Sequence, residues 1–285
     1  MEPVVISEEY LRPRLLVREN DSHKGDYGHL LLVCGSQSMP GAAVLATGAA
    51  LRSGCGLVTL HSTARALQAV VNCYPSAILS EDPDRNFSTL PASLEKYSAI
   101  AVGPGLGQSH ETLEALSRLL FSAKRTGIPM VLDADALNLL AAHPALWNEL
   151  PPGSILTPHL GELQRIVSWN SEVERDVAVR QLCLKTGSTL VMKGYHSRVY
   201  LPDGECLANT TGNPGMAKGG SGDVLTGLVG GLLARGYDSS DAAALGVWIH
   251  GYAGDRLTAD RTAEAYDSSD LVDNLWTGFK HLYMT

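Results

Sequence analysis

Residues 212–223 read Gly-Asn-Pro-Gly-Met-Ala-Lys-Gly-Gly-Ser-Gly-Asp and lead straight into an apolar run, Val224 to Ala234, of helical length. Gly219, Gly220 and Gly222 permit close backbone approach to a ligand and dihedrals that other residues avoid. Amides at a helix start have no intrahelical partner, so they can converge on an anion, and the helix dipole adds positive potential there. Asp223 stands beside that anion site. A carboxylate so placed can take a proton from a hydroxyl while the amides hold the phosphate that the hydroxyl attacks. That is phosphoryl transfer by positioning and charge stabilisation. A lone Gly-Asp pair would read more simply as a helix cap. Here three glycines, Lys218 and the turn Asn213-Pro214-Gly215 accompany the acid, and they favour chemistry.

The run is not a Walker A loop, because it lacks the Gly-x4-Gly-Lys-Ser/Thr spacing. A second glycine loop, Gly103-Pro104-Gly105-Leu106-Gly107, follows an apolar strand-like run. Its spacing departs from the dinucleotide fingerprint, and alone it reads equally well as a tight turn. His159 follows Pro158 at a strand end, where it serves either structure or a ligand at the carboxyl edge of a sheet. Lys193 is another strand-end charge. His250 lies in an apolar helix and reads as a buried, hydrogen-bonded side chain. Asp133 and Asp135 suit a magnesium ion or the ordering of a loop, or equally turn and N-cap chemistry.

The elements that must position these residues alternate short β-branched runs with longer helical ones, the mark of βαβ units and a mostly parallel sheet. Strands are expected at 29–34, 57–61, 99–103, 129–133 and 154–157, then a strand pair at 190–193 and 198–201 and a short strand near Cys206. Helices are expected at 42–53, 109–126, 134–142 and 172–186, with another opening at Pro158. Further on, 223–234 and 241–258 read as long apolar helices. A C-terminal helix is expected at 270–282, with Ser268 and Ser269 as caps. Ser109 is the expected N-cap of the helix that Gly127 ends. No internal boundary appears, so residues 1–285 are read as a single domain.

The chain of 285 residues is 45% hydrophobic and 18% charged, with a formal charge of −8. A net-negative chain argues against a general nucleic-acid binder, which needs a basic face. Five cysteines without a Cys-x-x-Cys pair read as reduced thiols and argue against structural zinc. The acidic N-terminal segment argues against a signal peptide, and no run reaches membrane-spanning length. A cytoplasmic location with no membrane partner is the expectation.

The segment Asn209 to Asp223 resembles the signature of the ADP/ATP-dependent NAD(P)H-hydrate dehydratase family of the ribokinase-like superfamily. Further segments agree in order: Gly28-His-Leu-Leu-Leu-Val with Gly35-Ser, Val102 to Gly107, Leu132-Asp-Ala-Asp-Ala-Leu-Asn138, Leu156-Thr-Pro-His-Leu-Gly-Glu162, Leu190-Val-Met-Lys-Gly194 and His250-Gly-Tyr-Ala-Gly-Asp255. The resemblance runs from about residue 25 to the C-terminus. It implies a three-layer α/β/α ribokinase-like fold with a central, mostly parallel sheet. It also implies dehydration of the S epimer of hydrated NADH or NADPH at the expense of ADP or ATP, with magnesium (Mg2+) offsetting the polyphosphate charge. Asp223 would be the base and a substrate contact. Ala43, Leu106, Gly107 and His159 would touch substrate. Lys193, Gly194, Tyr195, His196 and Ser197, with Gly220, Ser221 and Gly222, would bind the nucleotide; no metal ligand is implied. The family suggests a homotetramer. Many members also carry an N-terminal epimerase domain, for which the two dozen residues ahead of the match are too few. The competing expectations are a hydroxymethylpyrimidine- or thiazole-type small-molecule kinase and a non-catalytic nucleotide sensor, both on the same fold.

Overall fold

The computed structural model describes residues 2–284. The chain opens with β1 (Val4–Val5) and α1 (Glu8–Leu11), then β2 (His29–Val33), α2 (Pro40–Leu51), β3 (Leu57–Thr63), α3 (Ala64–Cys73) and β4 (Ile78–Asp82). Next come β5 (Ala99–Val102), α4 (His110–Thr126), β6 (Met130–Leu132), α5 (Ala134–Ala142), β7 (Ile155–Leu156), α6 (Leu160–Ile166) and α7 (Glu172–Thr186). The last part is β8 (Thr189–Met192), β9 (Arg198–Tyr200), β10 (Cys206–Ala208), α8 (Ser221–Ala234), α9 (Ser239–Asp260), α10 (Ser268–Asn274) and α11 (Trp276–Met284).

The ten strands form one sheet in the order β1-β10-β9-β8-β7-β6-β5-β2-β3-β4. From β8 to β4 every pairing is parallel, and the hairpins β8–β9 and β9–β10 are antiparallel. Parallel strands covered on both faces read as unbroken apolar runs, which is why His29–Val33 and Ala99–Val102 look fully buried in the sequence. Successive side chains still point to opposite faces. Leu30, Leu32, Ala99 and Ala101 pack with α2, α3, α8, α9, α10 and α11, whereas Leu31, Val33, Ile100 and Val102 pack with α4, α5, α6 and α7. The result is the expected three layers, helix on sheet on helix.

The strand order reverses between β2 and β5. The chain winds from β2 outward to β4, returns to β5, and winds the other way through β6 and β7 to β8. In open α/β sheets a ligand crevice forms at that switch point, beyond the carboxyl ends of the strands. Helix α8 is held over it by close packing on α2. A Cβ on Gly227 would lie 2.0 Å from the Ala46 carbonyl oxygen, so only glycine lets these helices meet.

The C-terminal expectation needs correction. Two helices, α10 and α11, replace one, and Asp267 rather than Ser268 or Ser269 caps α10. Its carboxylate accepts from the amides of Ser269 and Asp270, and Asp270 reaches back to the Asp267 amide. A single carboxylate oxygen, Oδ1, takes both orphan amides.

Candidate active site

Five strand ends and one helix start build the site. After β2, the turn 35–39 enters α2; after β5, the loop 103–107 leads toward α4. The Gly35 amide donates to the Pro104 carbonyl at 2.7 Å, which staples the two loops across the switch point. Asp135 secures the second loop, accepting from the Gly107 amide and from Gln108 Nε2, each at 2.8 Å. Its carboxylate is therefore a loop anchor, not a cap.

Helix α8 begins at Gly220, whose φ of +92° is the left-handed conformation glycine allows. The Ser221 amide bonds to the Lys218 carbonyl and the Val224 amide to the Gly220 carbonyl. The amides of Gly222 and Asp223, between them, have no partner among the described residues, and they sit at the positive end of the helix dipole. His250 on α9 pins this turn from behind: Nε2 donates to the Ser221 carbonyl at 3.0 Å. Burial pushes its imidazole down to about 4, so it is neutral at physiological pH.

Asp223 is the third residue of α8 and half-buried. Burial, reinforced by the negative charge of Asp133 and partly offset by Lys193, raises its carboxyl to about 6. Burial, reinforced by the charge of Asp223, raises the thiol of Cys34, the residue directly after β2. A carboxylate poised near neutral pH beside free amides is suited to general base catalysis.

Lys193, directly after β8, donates to Asp133 Oδ1 at 2.6 Å, and Thr226 Oγ1 on α8 donates to Asp133 Oδ2 at 2.7 Å. Both oxygens of Asp133 are engaged, and its side chain makes no cap bond to α5. His159 caps α6, accepting at Nδ1 from the amides of Gly161 and Glu162. That assigns the ring proton to Nε2, which lies 3.4 Å from Glu162 Oε1. Glu162, 5% exposed, also lies 3.9 Å from Lys193 Nζ.

A pocket of about 720 Å³ opens beside the α8 start. His159, the run Lys193 to Ser197, Ser221 and Gly222 line it together. Gly220 does not: a Cβ there would lie 2.4 Å from Leu45 Cδ1 and 3.1 Å from Ser268 Cβ. Ala43, in the first turn of α2, and Leu106, in the loop after β5, are buried in the two cores flanking the sheet and outside the pocket lining, and the half-buried Gly107 follows Leu106. The expected nucleotide contacts other than Gly220 thus surround the pocket together with His159, which was expected on the substrate, whereas Ala43, Leu106 and Gly107 lie around the switch point. Sequence reasoning did not single out Asn209, Thr211, Met216, Val247 or Gly251, which line the pocket too. Their signals were the polar run ahead of the glycines and the one-turn spacing of Val247 and Gly251 on α9.

A family model described as NAD(P)H-hydrate dehydratase matches residues 30–276. The chain belongs to the NAD(P)H-hydrate dehydratase family. It is 35% identical over 281 residues to the ADP-dependent (S)-NAD(P)H-hydrate dehydratase of Bacillus subtilis, covering 96% of this chain and 98% of the relative. The crystal structure of the Bacillus subtilis ADP/ATP-dependent NAD(P)H-hydrate dehydratase, co-crystallised with ATP and Mg2+, superposes with a TM-score of 0.85 at 30% identity, covering 99% of both chains. A ribokinase-like superfamily protein of Enterococcus faecalis superposes with a TM-score of 0.84 at 26% identity, over 99% of this chain and 97% of that one. The fold is therefore ribokinase-like. The chain spans about half the length of the bifunctional NAD(P)H-hydrate repair enzymes it also matches. No helix among the described residues is long and apolar enough to cross a membrane.

Proposed function

We propose that this protein dehydrates the S epimer of hydrated NADH or NADPH back to the reduced dinucleotide, consuming ADP or ATP and releasing phosphate with AMP or ADP. The observation that carries this reading is Asp223, raised to about 6 and set one residue from the free Gly222 amide at the pocket. Asp223 takes the proton of the hydrate's hydroxyl. The hydroxyl oxygen bonds to the terminal phosphorus as the bridging P–O bond to the departing nucleotide breaks. The ring nitrogen's lone pair then expels phosphate, a far better leaving group than hydroxide, and a proton leaves the adjacent ring carbon to restore the dihydropyridine. Lys193 and the α8 amides hold the phosphates in line, and His159 lines the same pocket.

No cluster of three or more metal-ligating side chains forms among the described residues. The residues present fit a magnesium ion carried mainly by the polyphosphate, with Glu162 beside Lys193 as the protein carboxylate, which is how magnesium commonly binds nucleotides. It would supply charge neutralisation. A cytoplasmic homotetramer, with residues 1–285 as one domain, belongs to the same proposal, supported by the family resemblance and the unpaired cysteines. The second reading, a ribokinase-like small-molecule kinase, shares the fold and anion site, while the family match favours the dehydratase.

Absorbance of the reduced ring tests the reading, with purified protein, NADH hydrate, magnesium and either donor. Nucleotide-dependent recovery of absorbance with release of AMP or ADP is expected. Folded, nucleotide-binding protein that gives no recovery with either donor overturns it in favour of the kinase.

A further inference from the structure

We infer that the pocket holds its donor by the phosphates and does not read the hydrogen-bonding edge of a purine base, so that adenine, hypoxanthine and guanine nucleoside di- and triphosphates all serve as donors. This rests on the nucleotide-dependent reading above and narrows what the site selects.

Away from the α8 start, the pocket wall is formed by residues 209–217 and one face of α9. Its polar side chains are bonded within the protein. Asn209 Nδ2 donates to the carbonyls of Thr211 and Val247 at 3.0 and 3.2 Å, and its Oδ1 lies 3.0 Å from Thr211 Oγ1. Thr211 Oγ1 is also 3.0 Å from the Trp248 carbonyl. Asn213 Nδ2 donates to Asp255 Oδ1 at 3.0 Å, while its Oδ1 accepts from the Gly215 amide and the Tyr266 hydroxyl, each at 3.0 Å. Lys218 donates to the carbonyls of Ala263 and Tyr266 and lies over the Tyr266 ring. Even the Gly212 amide is taken, by Asp255 Oδ2 at 2.8 Å. What remains toward the cavity is the apolar surface of Pro214, Met216, Leu225 and Val247.

At the rim, Tyr195 is 76% exposed with its ring 4.0 Å from that of His196. Polar groups so wet exchange one hydrogen bond for another with water and discriminate little. Apolar surface and stacking rings accept any purine, since every base has a π face. A site built to hydrogen-bond one ring rejects the analogue by roughly four to five orders of magnitude, because buried groups are stranded; a shape-only site manages about a hundredfold at most.

The experiment compares ADP, IDP and GDP, by calorimetric binding to the protein alone and by kcat/KM with NADH hydrate and magnesium. IDP replaces the exocyclic amine, a donor, with an acceptor. Affinities and kcat/KM for IDP and GDP within about tenfold of ADP are expected. ADP binding normally while IDP weakens by a thousandfold or more would overturn the inference, since some polar group must then read the amine. Equal binding of all three with no turnover would uphold it and remove the dehydratase reading instead.

Discussion

Lys193 Nζ lies 2.6 Å from Asp133 Oδ1, joining the ends of β8 and β6, and Thr226 holds the other carboxylate oxygen from α8. Asp133 is 1% exposed, so this charge is buried and paired. Its neighbour Ala134 has φ +46°, a strained conformation for a residue with a Cβ, at the point where β6 turns into α5. The pair does two things at the site. It points an ammonium at the pocket, and it sets a negative charge near Asp223.

Replacing Asp133 with Asn should therefore move the acid limb of the pH–rate profile. The Asp133 charge raises the Asp223 carboxyl and Lys193 lowers it. Neutralising Asp133 removes the first effect and frees Lys193 to strengthen the second, so both push Asp223 downward. The acid limb of kcat/KM should shift to lower pH, while affinity for ADP falls because Lys193 loses its anchor. A limb that stays near pH 6, or rises, would show that Asp133 does not tune the base.

Asp223→Asn should abolish turnover, by a thousandfold or more, and spare nucleotide binding. It should also raise stability. The carboxyl sits near 6 in the folded chain against an ordinary 3.8, so below about pH 4 both states are protonated and nothing is lost. Between those values the unfolded chain ionises first, and above pH 6 the folded state bears the full cost. Asn removes it, so the melting temperature should rise at pH 7.5 and not at pH 4, by the equivalent of about 1–2 kcal/mol once partial exposure is allowed for. Normal activity in this variant would remove Asp223 as the base.

The sequence made these local features legible because local chemistry writes them. Helices α5 and α7 end where the pattern says, and Ser109 caps α4 and Gly127 closes it, because caps and left-handed glycines act within one turn. The glycine run before Asp223 is equally local. Helix α3 and strand β4 went unread: Ala64 follows Thr63 without a punctuating turn, and the exposed Ile78 and Leu79 of an edge strand lack a buried-strand signature. The Asp133–Lys193–Thr226 contact was out of reach for another reason. Its partners are 60 and 93 residues from Asp133, and only the strand order brings them together.

Gly222→Ala tests the anion cradle. The added Cβ would lie 3.3 Å from Lys193 Nζ and 3.7 Å from Asp133 Oδ2, where the flexible lysine can yield. Alanine favours a helix over glycine by up to about 1 kcal/mol, so the fold should hold or gain slightly. The methyl group narrows the space between the Gly222 amide and Lys193, and ADP affinity should fall about tenfold, or some 1.4 kcal/mol. Valine should cost more. Titration calorimetry beside a thermal melt separates the two effects, and unchanged affinity in a well-folded variant counts against the anion site.

The switch-point side has its own buried clasp. Asp82, at the end of β4, accepts from the Ser88 amide at 2.8 Å, from Ser88 Oγ at 2.7 Å and from the Thr89 amide at 2.9 Å. His61 Nε2 lies 3.4 Å from Asp82 Oδ2 and 2.9 Å from the Thr89 carbonyl. The loop so closed holds the turn after β2, because the Arg85 carbonyl accepts from the Gln37 amide at 2.9 Å. Burial opposes ionisation of Asp82, and the hydrogen bonds from His61, Ser88 and Thr89 outweigh it, holding the carboxyl well below the usual carboxylate range. A depressed carboxyl contributes stability that is complete above its unfolded value, near 3.9, and is lost as pH falls toward the folded one. Asp82→Asn should therefore cost about 2–4 kcal/mol at pH 6, keep most of that cost at pH 3, and lose it only in stronger acid, seen as urea midpoints that converge well below pH 3. Because the clasp braces the switch-point loops, where the proposal puts the hydrate, and not the pocket, where it puts the nucleotide, KM for the hydrate should rise more than KM for ADP. Equal rises in both would separate this loop from the hydrate, and urea midpoints that never converge in acid would show that Asp82 ionisation does not hold the clasp.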